Sequence, residues 1–225
     1  IIKDDASFAY SPTTGVDSTR KFLADRLNKR GKVQITPEDI IFFNGLGDAI
    51  ARAYSPIQVD ARMIMPEPNY STQFMAEVLH ASFPPNTYRL NPYNGWHPDM
   101  RELEQKVRSH KAIVGILVIN PDNPTGFVYP EETLRNIVRI AKENDLFVVF
   151  DETYINIVYN GKKTVPLSDI VGDVPAISMK GISKELPWPG SRCGWMEVYN
   201  AGKDPIFDRF INTILHQKMS EVCST

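Results

Sequence analysis

Cysteine is nearly absent from this chain: Cys193 and Cys223 stand far apart and match no metal-ligand spacing. That excludes a disulfide-stapled scaffold and a thiolate metal centre, and it points to a reduced, cytoplasmic protein. Nor is there an apolar run approaching the roughly 20 residues that span a bilayer, so no membrane function is expected. Charge of one sign is lacking too. A formal net charge of −2 over 225 residues gives no electrostatic footprint for nucleic acid. The densest basic spot, KRGK at 29–32, reads as a solvated helix end. Glycine and proline are spread along the chain rather than concentrated, and there is no repeat or low-complexity tract. The opening IIKDDASF has neither a signal-peptide pattern nor an initiating Met, so a trimmed or partial chain is expected.

What is present is an alternation of apolar, β-rich runs with helical patterns. Strands are expected at 40–43, 62–66, 112–120, 146–152, 176–181 and 192–198. Several are apolar without alternation, as strands buried on both faces are. Helical periodicity fills 17–31, 47–57, 71–81, 99–110 and 130–145, with helix-start signals at Pro98-Asp99 and at Pro130-Glu131-Glu132. The expected fold class is therefore α/β: three layers, α/β/α, around a mostly parallel sheet, in one domain with no internal linker.

Ligands of open α/β sheets gather at the carboxyl ends of the strands, and five stretches there carry polar or small residues. FFNGLGDAI sets Gly45, Leu46 and Gly47 between a strand and a helix. This suits either a tight turn or an anion held by backbone N–H groups, and it lacks the third glycine of a dinucleotide fingerprint. LVINPDNPTG can be a plain turn, or a rigid loop aiming the Asn123 amide into a site. In VVFDETY, Asp151 ends a nearly all-apolar strand, where a carboxylate is costly without a cation or hydrogen bonds; helix capping or a structural salt bridge is the alternative. Tyr154 follows three residues later. PEPNYSTQF places Tyr70 at a helix start, as core or as a flat face for a ring. In GISKELPWPGSRCGW, Lys184 and Arg192 stand eight apart with Pro189-Gly190 folding the chain between them, two cations suited to one target. A lysine held beside an arginine can serve as a nucleophilic amine.

DNPTG, DETY and SKELPWPGSRCGW, in that order and at these separations, resemble the fold-type I pyridoxal phosphate (PLP) enzymes of aminotransferase class I/II. The likeness covers essentially the whole chain, and its K-x4-P-G-x-R-x-G-W signature is highly specific. YSPTTG, ITPEDIIFFNGLGDAI, DETYINIVY and GSRCGWM are most similar to the alanine aminotransferase-like branch. The resemblance implies PLP as cofactor and transamination between an amino acid and a 2-oxo acid through a Lys184 Schiff base, with Lys184 also moving the Cα proton. By the same likeness Asp151 would pair with the pyridine nitrogen, Tyr154 and Asn123 with the ring's phenolic oxygen, and Tyr70 would stack on the ring. Arg192 and the backbone N–H groups of Gly45, Leu46 and Gly47 would hold the phosphate. Tyr10 would reach the phosphate of a neighbouring subunit, making the active unit a homodimer, and the Asn123–Pro124 bond would be cis.

Three departures qualify the likeness. Where many relatives place a phosphate-binding serine three residues before the lysine, this chain has Gly181. Asp48 lies near the phosphate loop and is expected to face away along its helix. The chain stops at HQKMSEVCST, so it is expected to be a PLP-binding large domain (1–225) without a C-terminal small domain and its substrate-carboxylate arginine. Such a piece alone would transaminate poorly or not at all. The same residues also suit other PLP chemistry, a C–S β-lyase or an aminocyclopropane-carboxylate synthase-like reaction, or a non-catalytic effector domain. An α/β domain without PLP must treat the matching positions as coincidence.

Overall fold

The computed structural model describes residues 10–221, so Cys223 lies outside the described residues. Eight strands form one sheet: β1 (Ile40–Asn44), β2 (Arg62–Glu67), β3 (Asn86–Asn91), β4 (His97–Pro98), β5 (Ile113–Ile119), β6 (Phe147–Asp151), β7 (Ala176–Gly181) and β8 (Cys193–Tyr199). Their order is β1-β8-β7-β6-β5-β2-β3-β4. The run from β7 to β3 is parallel, while β8 is antiparallel to both its neighbours and β4 to β3. Helices connect them: α1 (Asp17–Asn28), α2 (Leu46–Tyr54), α3 (Ser71–Ala81), α4 (Met100–Ser109), α5 (Glu131–Glu143), α6 (Ile182–Glu185) and α7 (Pro205–Lys218).

Alternation along each buried strand sends neighbouring residues to opposite faces, and two apolar clusters result. Ile40, Phe42, Ile116, Val118, Val148 and Phe150 face α1, α4 and α5. Ile41, Phe43, Leu117, Ile119, Val149 and Ile177 face α2, α3 and α7. This is the expected three-layer α/β/α architecture. Each fully buried Ile or Phe contributes about 1.5–3 kcal/mol, so the sheet is a rigid platform for whatever its strand ends carry.

Four elements were not expected from sequence. β3, NTYRLN, is a polar run in which Tyr88 and Leu90 are buried and their neighbours are not. β4 has only two residues, and α6 is one helical turn after β7. α7 presents Phe207, Ile211 and Ile214 to the second cluster at helical spacing.

Candidate active site

β1 ends at Asn44, and Gly45 turns the chain into α2 with φ of +85°. No side chain caps α2, so its first N–H groups, beginning with Leu46 and Gly47, are offered to an anion. Gly45 is required by its left-handed φ, and a methyl group there would sit 2.9 Å from the guanidinium carbon of Arg192, whose flexible side chain would have to move. Arg192, just before β8, is itself left-handed (φ 53°) and exposed, and it donates to the Pro189 carbonyl at 2.8 Å. Gly194 completes the approach. A methyl there would lie 2.9 Å from Leu46 N and 3.1 Å from the Lys180 carbonyl oxygen. The register pairing Gly194 with both Phe43 and Gly181 thus brings the α2 N-terminus, Arg192 and the end of β7 together. Asp48 faces both ways: one oxygen pairs with Arg52 along the helix at 3.5 Å, while the other, against expectation, turns back to accept from Asn44 N at 3.0 Å, beside Gly45.

Asp151 ends β6 and is 3% exposed. Its carboxylate accepts from Thr153 N (3.2 Å), Thr153 Oγ1 (2.8 Å) and Gln73 Nε2 (3.2 Å). Among the described residues no Lys, Arg or His pairs with it. Burial pushes its pKa up, and the bonds from Thr153 and Gln73 oppose that. A buried carboxyl with three donors and no cation either holds its proton or takes a cation from outside the described residues. Gln73 was not singled out from sequence. It lies one helical turn beyond Tyr70, the half-buried N-cap of α3, so helical spacing was the available signal.

Asn123 and Tyr154 both line a cavity of about 370 Å³ with Pro121, Pro124 and Val158. Among the described residues three peptide bonds are cis, Asn123–Pro124 as expected and also Glu67–Pro68 and Asn120–Pro121. Lys184 lies exposed on α6 immediately after β7. Its neighbour Glu185 accepts from the Asn156 backbone N–H (2.9 Å) and amide (2.8 Å), which ties α6 to the turn that carries Tyr154. Tyr10 is 88% exposed.

Beside Asp151 on the sheet, Glu152 turns to the opposite face and was also missed from sequence. It is 1% exposed and accepts from Leu167 N (2.6 Å) and Ser178 Oγ (2.5 Å). Lys180 bridges it to Glu197 at 3.3 Å on each side. Glu197 also accepts from Trp195 Nε1 (3.0 Å) and the Tyr199 hydroxyl (2.6 Å). Burial alone lowers the Lys180 pKa, but the two carboxylates outweigh it and push it well up.

The turn at Gly45 beside Arg192, the buried Asp151 carboxylate and Lys184 thus stand at the ends of β1, β6 and β7. The family model for aminotransferase class I and II matches residues 2–222. The chain belongs to the class I and II aminotransferases. It is 57% identical over 225 residues to an uncharacterised aminotransferase of Methanocaldococcus jannaschii, covering 100% of this chain and 52% of that protein. It is 32% identical over 195 residues to the glutamate-pyruvate aminotransferase AlaA of Escherichia coli, covering 86% and 47%. An E. coli aminotransferase structure superposes with a TM-score of 0.90 at 28% identity, over 97% of this chain and 53% of that one. An alanine aminotransferase from Pyrococcus furiosus gives 0.86 at 28% identity, over 96% and 54%. The chain thus spans about half the length of the relatives it matches. Among the described residues, no helix is long and apolar enough to cross a membrane.

Proposed function

We propose that this aminotransferase domain binds PLP and, within the full-length protein, transaminates between an amino acid and a 2-oxo acid with Lys184 as the reactive amine. The observation that carries the reading is Asp151, 3% exposed and given three hydrogen bonds but no cation. A protonated pyridine nitrogen is the partner that this carboxylate lacks. PLP, when bound, supplies the electron sink that makes the substrate Cα–H acidic.

The chain's own residues do the rest. Arg192 and the N–H groups of Gly45, Leu46 and Gly47 hold the phosphate as a charge-assisted anion site. Tyr70, at the N-cap of α3, packs against the ring face, and Asn123 and Tyr154 direct polar groups at the ring's oxygen. Gly181 offers no hydroxyl here, so more of the phosphate's hold falls on Arg192 and the helix N-terminus. Lys184, exposed on α6 at the end of β7, would be the amine that takes and returns the substrate's Cα proton. A positioned amine of this kind contributes on the order of 10²–10⁴-fold.

The described residues form the cofactor-binding large domain, with the small domain and the substrate-carboxylate arginine lying elsewhere in the full-length protein. A homodimer is part of the proposal: the exposed Tyr10 side chain is free to reach a neighbouring phosphate. So is a cytoplasmic location, which rests on the low cysteine content. The similarity to a glutamate-pyruvate aminotransferase makes glutamate and pyruvate the first substrate pair to assay. With full-length protein, formation of 2-oxo acid should require both the amino donor and PLP, and K184A should abolish it. Turnover retained in K184A would refute the assignment.

A further inference from the structure

Four charged side chains of alternating sign run from the end of α7 to the turn at Gly45. Lys218 closes α7 with a fully buried side chain and pairs with Glu221 at 3.1 Å. Glu221 also pairs with Arg52, in the last turn of α2, and Arg52 pairs with Asp48 one turn earlier at 3.5 Å. Asp48 in turn accepts from Asn44 N at 3.0 Å. The far end of this chain reaches the same place, because the Lys218 ammonium lies 4.9 Å from the centroid of the Phe43 ring. Phe43 and Asn44 are the residues that lead β1 into Gly45. Charges at both ends of the network therefore grip the entry to the turn.

Asp48 stands where an anion site can least use a carboxylate. Gly45 is the N-cap of α2, so Asp48 is its third helical residue. A carboxylate at that position commonly turns back onto the free N–H groups of the helix start, and those are the groups assigned above to the phosphate. Unrestrained, Asp48 would repel the phosphate and compete with it for the same donors. Instead both its oxygens are engaged elsewhere, Oδ2 on Asn44 N, upstream of the turn, and Oδ1 on Arg52. Arg52 offsets the charge as well as holding it, and Glu221 fixes Arg52 from the α7 side.

We propose that Arg52 is a positioning residue of the phosphate site: by pairing with Asp48 it keeps that carboxylate off the first N–H groups of α2 and leaves them to the ligand's phosphate. This rests on the reading of the α2 start as the place where the phosphate of PLP is held. Arg52 acts through Asp48, so its effect on binding exists only while residue 48 carries a charge.

The test compares wild type, R52M, D48N and the double variant in the full-length protein. PLP, and pyridoxal, which lacks the phosphate, are each titrated by absorbance. R52M should weaken PLP binding about two- to fivefold, the effect of one charge beside a helix N-terminus, and leave pyridoxal binding unchanged. In the D48N background, where the neutral amide can still accept from Asn44 N, R52M should have little effect. A loss shared by pyridoxal marks a general packing defect and overturns the proposal. So does an equal loss in both backgrounds, which is what direct attraction between Arg52 and the phosphate would give, and so does no loss at all. Inorganic phosphate, titrated by calorimetry into the apoprotein, repeats the comparison without the cofactor. Wild type that binds phosphate but forms no coloured linkage with PLP would sink the functional reading, while the phosphate series would still decide the role of Arg52. Wild type that binds neither overturns both.

Discussion

Replacing Lys180 by Met tests whether the buried charge network beneath the site is built as described. Lys180 is the single cation between Glu152 and Glu197, 3.3 Å from each, and both carboxylates are almost fully buried. Met fills a similar volume but leaves two carboxylates facing each other. Removing one partner of a buried ion pair costs about 3–5 kcal/mol, a large share of a typical domain's 5–15 kcal/mol stability. The loss should also depend on pH. Burial already raises the Glu152 pKa, with Lys180 opposing the rise. In K180M that opposition is gone, so the folded state binds a proton more tightly than the unfolded chain. Stability then falls as pH rises. The variant's deficit should widen, by up to about 1.4 kcal/mol per pH unit, above the raised pKa that Glu152 already has in the wild type and until the variant's own carboxylate ionises. Urea unfolding of wild type and K180M at several pH values from about 5 to 8 measures this. A deficit below about 1 kcal/mol, or one that does not widen with pH, would refute the reasoning.

Other perturbations address the site directly. Arg192→Ala should weaken PLP binding by about 2–3 kcal/mol, or roughly 30–150-fold, through loss of a charge-assisted phosphate contact, as read by absorbance titration. Gly45→Ala should cost at least about 1 kcal/mol in stability because Gly45 has φ of +85°, and should lower PLP affinity because the methyl displaces the Arg192 guanidinium. Unchanged binding in G45A would show that Arg192 is not held against that turn. Asp151→Asn should keep the coloured Lys184–cofactor linkage yet cut turnover by at least about 100-fold, since roughly 3 kcal/mol of charge stabilisation is lost; turnover within tenfold of wild type would contradict the ring-partner role.

Much of the platform was legible because its causes are local. Apolar runs such as IVGILVI at β5 and FVVFD at β6 announce doubly buried strands, and the residues at their ends stand where an α/β sheet places ligands. β3 escaped because NTYRLN is mostly polar and its two buried side chains, Tyr88 and Leu90, make a pattern too short to stand out. α7 carried a readable spacing at Phe207, Ile211 and Ile214 but no chemistry to draw attention to it. Gln73 and the Glu152–Lys180–Glu197 network failed for a different reason. Gln73 matters only because Asp151, 78 residues away, is folded onto it. Lys180 meets its two glutamates only because β6, β7 and β8 are adjacent in the sheet. Sequence spacing records neither fact.

The central claim, that Lys184 is the amine of a PLP-dependent transaminase, is tested most directly by adding PLP to the full-length protein, recording the visible spectrum, reducing with borohydride and mapping the labelled peptide by mass. A coloured band that vanishes on reduction, with the adduct on Lys184, is the predicted result. No band in folded protein, or an adduct on another lysine with Lys184 unmodified, would contradict it.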